Sequence, residues 1–462
     1  MNTIAEIAQQ LWAPAKRLHQ EGLSYHAYLT ELTWLLFFKT ASTLSGAEHL
    51  LPTHLSWDAL IQKTGRQQLE YYQKILTTLG QLNDPYLAGI YAHARTYFDR
   101  PEQLTPTVIT LNAIDALPLS DLGELYERLL EKCALEDENS LHIAPRSLID
   151  LIVILTQPQP GELIQDPLAG TASFLVAADQ YVKVIGNDSS DNASLINNNF
   201  REKQSIIAIE PNLVRQRLAL MNCWLHRIEH SQRIPVRWGD SLLSHLPAWP
   251  PADVILSMLV FAGEPTDELG KHDASLALLQ HIYDTLKPGG RAAVILPDRI
   301  LKAAGPAQQV RTTLLDTCVV HTVLRLPNGI FYPHKIPAHV LFFRRGQSHD
   351  DKTETVWFYD LRTHLPILGQ YLHLTREHLI PFEKVYGDDW LGQAPRHDEG
   401  EKGRWRCFSR DFIKKQGDNL DICWLQDDEV TMADNSFTIN LDEVLNETLE
   451  ELEMLTEILR NE

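Results

Sequence analysis

Leu163-Ile164-Gln165-Asp166-Pro167-Leu168-Ala169-Gly170-Thr171-Ala172-Ser173-Phe174 is a short apolar run that ends in a turn of small residues and opens a helical pattern. A strand, a tight turn and a helix N-terminus in that order let a ligand approach backbone amides closely. Small residues after a strand also serve ordinary helix–sheet packing, so the turn alone does not establish a site. Working outward, further β-branched or apolar runs occur at Ile206–Ile209, Val236–Trp238, Val254–Leu256, Ala292–Leu296, Val319–Leu326 and His339–Phe343. Helical patterns separate most of them, including Leu122–Leu135 and Pro145–Leu155 on the N-terminal side. This alternation predicts an α/β domain, doubly wound on an open and mostly parallel sheet.

Two carboxylates follow the next strands. Glu210 ends Ala208-Ile209-Glu210-Pro211, and Asp240 lies in Gly239-Asp240-Ser241. A carboxylate at the first position can accept both ribose hydroxyls of a nucleoside cofactor, and one at the second an adenine amino group. Acids at strand ends are ordinary singly; three such features, one per βα unit and in this order, are harder to obtain by chance.

Residues 1–118 show no such alternation. Tyr25–Lys39 is apolar nearly all round and predicts a buried helix, with further helices near Gln67–Leu82 and Pro85–Tyr97. The boundaries expected are a helical N-terminal domain at 1–118, an α/β domain at 119–380, an irregular extension at 381–439 and a helix at 440–462. The stretch Gly186–Asn199, rich in Asn, Ser and Asp, predicts an exposed loop, as does Arg396–Arg404. In the last segment Asn440 can cap a helix, with Glu443 at the capping-box position. Its Leu441, Leu445, Thr448, Leu452, Leu455 and Leu459 form an a/d seam suited to packing on the chain itself or on a partner helix.

The 462 residues carry a net charge of −20. An acidic chain does not attract phosphate by its overall field, so contact with nucleic acid requires a local patch or a basic partner. With no run of about 18 apolar residues, no membrane span is expected, and the opening residues lead to no expectation of a secretory signal. The five cysteines are scattered, which suggests no metal centre and fits a reducing cytoplasm.

The chain resembles the modification subunit of type I restriction–modification systems, an adenine-N6 DNA methyltransferase family. Leu23–Thr33 resembles the family's opening helices. Ile143-Ala144-Pro145-Arg146 stands where the family has Phe-Thr-Pro-Arg, and Asp166–Phe174 where it has Asp-Pro-Ala-Cys-Gly-Thr-Gly-Gly-Phe. Further matches are Pro288–Asp298, Leu326–Tyr332, Phe358–Thr363 and Asn419–Ile422. The resemblance implies a Rossmann-like class I methyltransferase fold with a C-terminal helical extension. It implies S-adenosylmethionine as cofactor, held by Pro145, Asp166, Gly170, Thr171, Glu210 and Asp240. The implied partners are a DNA specificity subunit and a restriction subunit or second modification subunit, with DNA held through the complex and no membrane involved.

The departures concern the chemistry. The family's catalytic Asn-Pro-Pro-Phe is replaced by Met258-Leu259-Val260-Phe261. In the family the target adenine is flipped out of the duplex. The Asn oxygen and the first Pro carbonyl accept from its amino group, and the Phe stacks on the base. A thioether accepts only weakly, and a lost transition-state hydrogen bond costs about 2.7–4 kcal/mol. Of the catalytic pair Met258 and Phe261, only Phe261 keeps its family identity. Ser257 would substitute for the Asn only if the chain bulged; otherwise Ser257–Val260 extends the buried strand. Ala144, Ala172 and Ser173 alter the cofactor motifs. After the Phe331-Tyr332-Pro333-His334 loop, Ala338-His339 replaces a Thr-Asn and puts target-base handling in question. The expectation is a modification-subunit homologue, a pseudoenzyme in a phage-defence locus. The alternatives are an active adenine-N6 methyltransferase and a nucleotide- or phage-sensing module.

Overall fold

The computed structural model describes residues 3–43, 51–114, 117–136, 141–188, 206–228, 234–242, 249–262, 273–334, 336–369 and 372–425. The helix expected at 440–462 lies outside them, as do residues 189–199 of the expected loop; Gly186 belongs to a helix.

Among the described residues, nine strands form one sheet in the order β3-β2-β1-β4-β5-β7-β6-β8-β9. They are β1 Ile164–Asp166, β2 Ile206–Glu210, β3 Val236–Trp238, β4 Ala252–Met258, β5 Leu286–Pro297, β6 Cys318–Arg325, β7 Ala338–Arg345, β8 Thr355–Asp360 and β9 Trp405–Ser409. Strands β1 to β5 are mutually parallel; β7 runs antiparallel to β5 and β6, and β9 antiparallel to β8. The order reverses at β1, which pairs with β2 on one side and β4 on the other. That switch point is where open α/β sheets bind ligands, outside the carboxyl ends of the strands.

The central strands are buried on both faces, and alternate residues divide between two cores. Val254, Leu256, Ala293, Ile295, Val340 and Phe342 face one; Ile255, Ala292, Val294, Leu341 and Phe343 face the other. A period of 2 sends neighbours to opposite faces, so these strands read as continuous apolar runs. The register between β4 and β5 shifts near Ala252, where Gly290 lies so close that a Cβ would meet the Ala252 carbonyl oxygen at 2.8 Å.

Two strands differ from the sequence expectation. β8 was recognised only as part of a family motif, and β9 falls in the stretch 381–439 expected to be irregular. Trp405 of β9 is nevertheless buried and stacks on Trp357 of β8 at 5.1 Å, so burial against β8 overrides the polar surroundings. Helix formation around Pro85 also stops early, at Ile90; Tyr91 leaves the helical conformation and His93 takes a positive φ of 53°.

The helices, in chain order, are α1 Ile4–Gln20, α2 Tyr25–Thr43, α3 Trp57–Ile61, α4 Gly65–Leu79, α5 Pro85–Ile90, α6 Pro101–Ala113, α7 Leu119–Glu136, α8 Arg146–Thr156, α9 Ser173–Asp188, α10 Leu213–Leu225, α11 Ala274–Thr285, α12 Asp298–Lys302, α13 Pro306–Thr317, α14 Arg376–Tyr386 and α15 Arg410–Lys415. Thr3 and Glu6 close a reciprocal capping box on α1. Helix α2 is buried on all sides, as its unbroken apolar composition requires.

The N-terminal helices share the first core with the sheet. α10 packs against α2, α5 and α7, and Tyr86 donates to the Ile228 carbonyl. Arg217 of α10 is buried, stands over the Trp34 ring at 4.9 Å and donates to the Ala92 carbonyl at 2.8 Å.

Inside this bundle Glu31 accepts from Tyr72 Oη at 2.6 Å, from Thr96 Oγ1 at 2.8 Å and from the Tyr97 amide. Burial outweighs these bonds and pushes its carboxyl from 4.5 up to about 7. A raised folded-state value means that ionisation opposes folding. The penalty is absent below pH 4.5 and complete above pH 7. Glu31→Gln should therefore match the wild type in urea unfolding near pH 4.5. Near pH 8 it should be more stable, by up to about 3 kcal/mol.

Candidate functional site

The carboxyl ends of β1, β2 and β3 meet through the expected residues. Asp166, at the end of β1, is almost wholly buried; its Oδ1 accepts from Ser257 Oγ at 2.6 Å and from the Leu168 amide at 2.9 Å. Burial pushes this carboxyl up to about 7 against the lowering effect of those bonds. Glu210, at the end of β2, is fully buried. Its Oε2 accepts from the Gly170 amide at 2.9 Å, and its Oε1 from the Asn212 amide at 2.9 Å and Arg215 Nε at 3.0 Å. Gly170 and Ala172 have φ of 56° and 65°, and the Ala169 amide bonds the Ile209 carbonyl. Thr171 is buried beside them, its carbonyl accepting from Asn222 Nδ2 at 3.0 Å. Asp240 lies just past β3 and accepts from the Leu242 amide; the adjoining Ser241 Oγ reaches the Pro167 carbonyl at 2.6 Å.

Neither Arg215 nor His142 was identified from the sequence. Arg215 stands in the first turn of α10, where a cation opposes the helix dipole. That misplaced charge, five residues after Glu210, was the available signal.

Ser257 lies on β4 in regular register with Val294 of β5, and its hydroxyl is spent on Asp166. The bulge that would bring it to the catalytic position is not formed. Met258 ends the strand, half-buried. Leu259 and Val260 then turn inward into the two cores rather than prolonging the strand. The Leu259 carbonyl, aligned with the first Pro of the family motif, accepts from Ser275 Oγ at 2.9 Å and from the Ala262 amide at 3.2 Å.

Phe261 is enclosed by aromatic rings. His142 stacks on it with centroids 3.9 Å apart and planes 6° from parallel. His334 meets Phe261 edge-on at 5.0 Å and His142 at 4.8 Å, and Phe331 meets Phe261 at 5.7 Å. His142 Nδ1 is buried with no hydrogen-bond partner among the described residues. Burial, then the charges of His334 and Arg215, push this imidazole down to about 4, so it is neutral near pH 7. Aromatic stacking contributes about 0.5–1.5 kcal/mol, whereas an unsatisfied buried polar atom costs about 1–3 kcal/mol. The stack on Phe261 thus carries a polar nitrogen whose hydrogen bond is unmet among the described residues.

Pro145 lies just before α8, next to Ala144 and Arg146, which share a small pocket with Ser173 of the turn. It caps α8 and lines a cavity of about 370 Å³ together with Ile143, Ala144, Ile330, Tyr332 and Leu374. His339, which stands where the family has the Asn of its Thr-Asn, is engaged elsewhere. It is fully buried between Asp298 (2.9 Å) and Asp421 (3.2 Å), tying the Asn419–Ile422 segment to the start of β7. These three side chains have metal-donor atoms within 4.8 Å of one another. Arg362, Lys302 and Arg325 already pair with the two aspartates, so the charge there is balanced by the chain's own cations.

The strand-end residues fit a nucleoside cofactor, with one adjustment. A Cβ at Gly170 would meet nothing within 4 Å, which leaves the turn open for a ligand's approach. The carboxylate of Asp240 offers a second acceptor. Glu210 becomes available to a ribose when Arg215 withdraws from it.

Two expectations follow. Ser257→Ala removes a hydrogen bond from a carboxylate that ionises near pH 7. It should cost about 1.5–3 kcal/mol in urea unfolding at pH 8, and less at pH 5, where Asp166 is protonated. Arg215→Ala frees an acceptor of Glu210. Calorimetric titration with S-adenosylmethionine should show tighter binding, by up to about fivefold, and no binding in Glu210→Ala.

With this geometry in place, comparison with known proteins identifies the family. The N-6 DNA Methylase family profile matches residues 119–431. The chain is 37% identical to the type I restriction enzyme StySJI methylase subunit of Salmonella typhimurium and 37% identical to the EcoKI methylase subunit of Escherichia coli. Each alignment spans 93% of this chain and 90% of the relative. The crystal structure of the EcoKI M protein superposes with a TM-score of 0.56 at 33% identity, covering 99% of this chain and 96% of that one. A profile spanning well over half the sequence, together with relatives matched almost end to end, establishes that this chain belongs to the N-6 DNA methylase family.

Proposed function

We propose that this chain serves as the modification subunit of a type I restriction–modification assembly, or of a related phage-defence system, and has lost its own methyl transfer. It works beside a DNA specificity subunit, and it meets DNA through that complex because its own net charge of −20 gives phosphate no long-range attraction.

S-adenosylmethionine is the cofactor of this reading and would supply an electrophilic methyl group. Glu210 would hold the ribose, Asp240 the adenine amino group, and the Gly170 turn would lie along the ligand. The residues of this chain bind and orient; what they lack is activation of the nucleophile. The amino group of adenine is poorly nucleophilic because its lone pair is delocalised into the ring. Two fixed acceptors would localise it.

The observation that carries the reading is the state of both acceptors. Met258 offers a thioether at the first position. The Leu259 carbonyl, at the second, is engaged by Ser275 Oγ and the Ala262 amide. A loss of about 2.7–4 kcal/mol per acceptor corresponds to a rate reduction of about 100-fold or more for each.

The chain reconstituted with a specificity subunit should transfer no tritiated methyl group to DNA above background. Incorporation at adenine N6 would establish the active alternative instead. Restoring Asn-Pro-Pro at residues 258–260 should give at most partial activity, since Ala172 and Ser173 also depart from the family's glycines.

A further inference from the structure

The cofactor features Asp166, Gly170, Thr171, Glu210 and Asp240 lie on the rim of β1 to β3, and the base feature Phe261 lies just past β4. His142 belongs to none of them by sequence, yet its ring occupies the centre of the aromatic cluster. We infer that His142 is an internal occupant of the base-stacking position beside Phe261, and that turning it out opens a site for a planar purine.

The geometry is that of a bound heterocycle. The imidazole lies 3.9 Å from Phe261 and 6° from parallel, which is how a flat ligand would rest on that ring. His334 closes the site edge-on toward both rings, and Phe331 supports Phe261 from the side. The cluster sits beyond the end of β4, next to the switch point where sheets of this kind take ligands.

The occupant is also poorly anchored. His142 lies in the irregular stretch 141–145 that precedes α8, so no helix or strand ladder fixes its position. Its Nδ1 finds no partner among the described residues. The residues that follow it, Ile143 and Ala144, line the cavity of about 370 Å³, so a small movement of this segment has room to proceed. A purine would restore the stacking contact on Phe261, and the imidazole would regain solvent or a partner for its nitrogen.

The inference rests on reading Phe261 as the base-stacking residue, and the test needs neither methyl transfer nor a specificity subunit. The probe is 2-aminopurine riboside, whose fluorescence falls when it stacks on an aromatic ring. His142→Ala should bind it with saturable quenching at least tenfold tighter than the wild type. The double variant His142→Ala/Phe261→Ala should lose that quenching. Free imidazole at millimolar concentration should displace the probe from His142→Ala by refilling the vacated place. His142→Phe keeps a flat ring in position and should exclude the probe as the wild type does, which separates occupancy of the site from loss of a histidine. Urea midpoints close to wild type establish that each variant is folded. Equal binding by the wild type and His142→Ala would overturn the inference, as would quenching that survives the double variant or a His142→Phe protein that binds like His142→Ala. Methyl transfer by the wild type, measured separately, would overturn the proposed function and leave these binding results as they stand.

Discussion

Two carboxylates are buried where β1 and β2 end, and the local structure is organised by the need to satisfy them. An unpaired buried charge is too costly to keep. Asp166 takes the Ser257 hydroxyl and the Leu168 amide; Glu210 takes the Gly170 and Asn212 amides and the Arg215 guanidinium. These bonds join β1 to β4 and the Gly170 turn to β2. The motif loop is therefore shaped by the chain's own charges before any ligand is considered. The same bonds engage the Ser257 hydroxyl and both oxygens of Glu210 within the chain.

The catalytic position shows the consequence. With Ser257 directed at Asp166, the period of 2 along β4 places Met258 against the opposite core. Leu259 and Val260 bury themselves where Pro-Pro would stiffen a turn, and the freed Leu259 carbonyl closes a short loop with Ala262 and Ser275. Where the family has Asn-Pro, this chain has a thioether at Met258 and a Leu259 carbonyl that accepts from Ser275 Oγ and the Ala262 amide. Phe261 alone remains presented, and the nearest ring on it is the protein's own His142.

The helical N-terminal region is bound into the same framework. Arg217 and Tyr86 link α10 to the helices that cover it, and Glu31 gathers Tyr72, Thr96 and Tyr97 around one carboxylate. Because α10 begins beside Glu210, its placement is shared between the cofactor side and the helical region. A displacement of α10 would move Arg215 and break its ion pair with Glu210.

Local pattern in the sequence was sufficient for the parallel sheet, the buried α2 and the acidic residues at successive strand ends. Continuous apolar runs, a helix with no polar face and a small-residue turn each have one dominant physical solution, and each depends on neighbours close in the chain. The replacement at 258–260 was equally plain, since donor and acceptor chemistry is a property of residue type. What tertiary structure alone decided were contacts between residues far apart in sequence. The Trp357–Trp405 stack made β9 a strand within a polar stretch. His339 was drawn between Asp298 and Asp421, away from the base side. Arg215 settled on Glu210, and His142 on Phe261, 119 positions away in the sequence. No periodicity encodes such pairings. They arise because a folded chain must satisfy its buried charges and cover its exposed rings with whatever side chains the topology brings near.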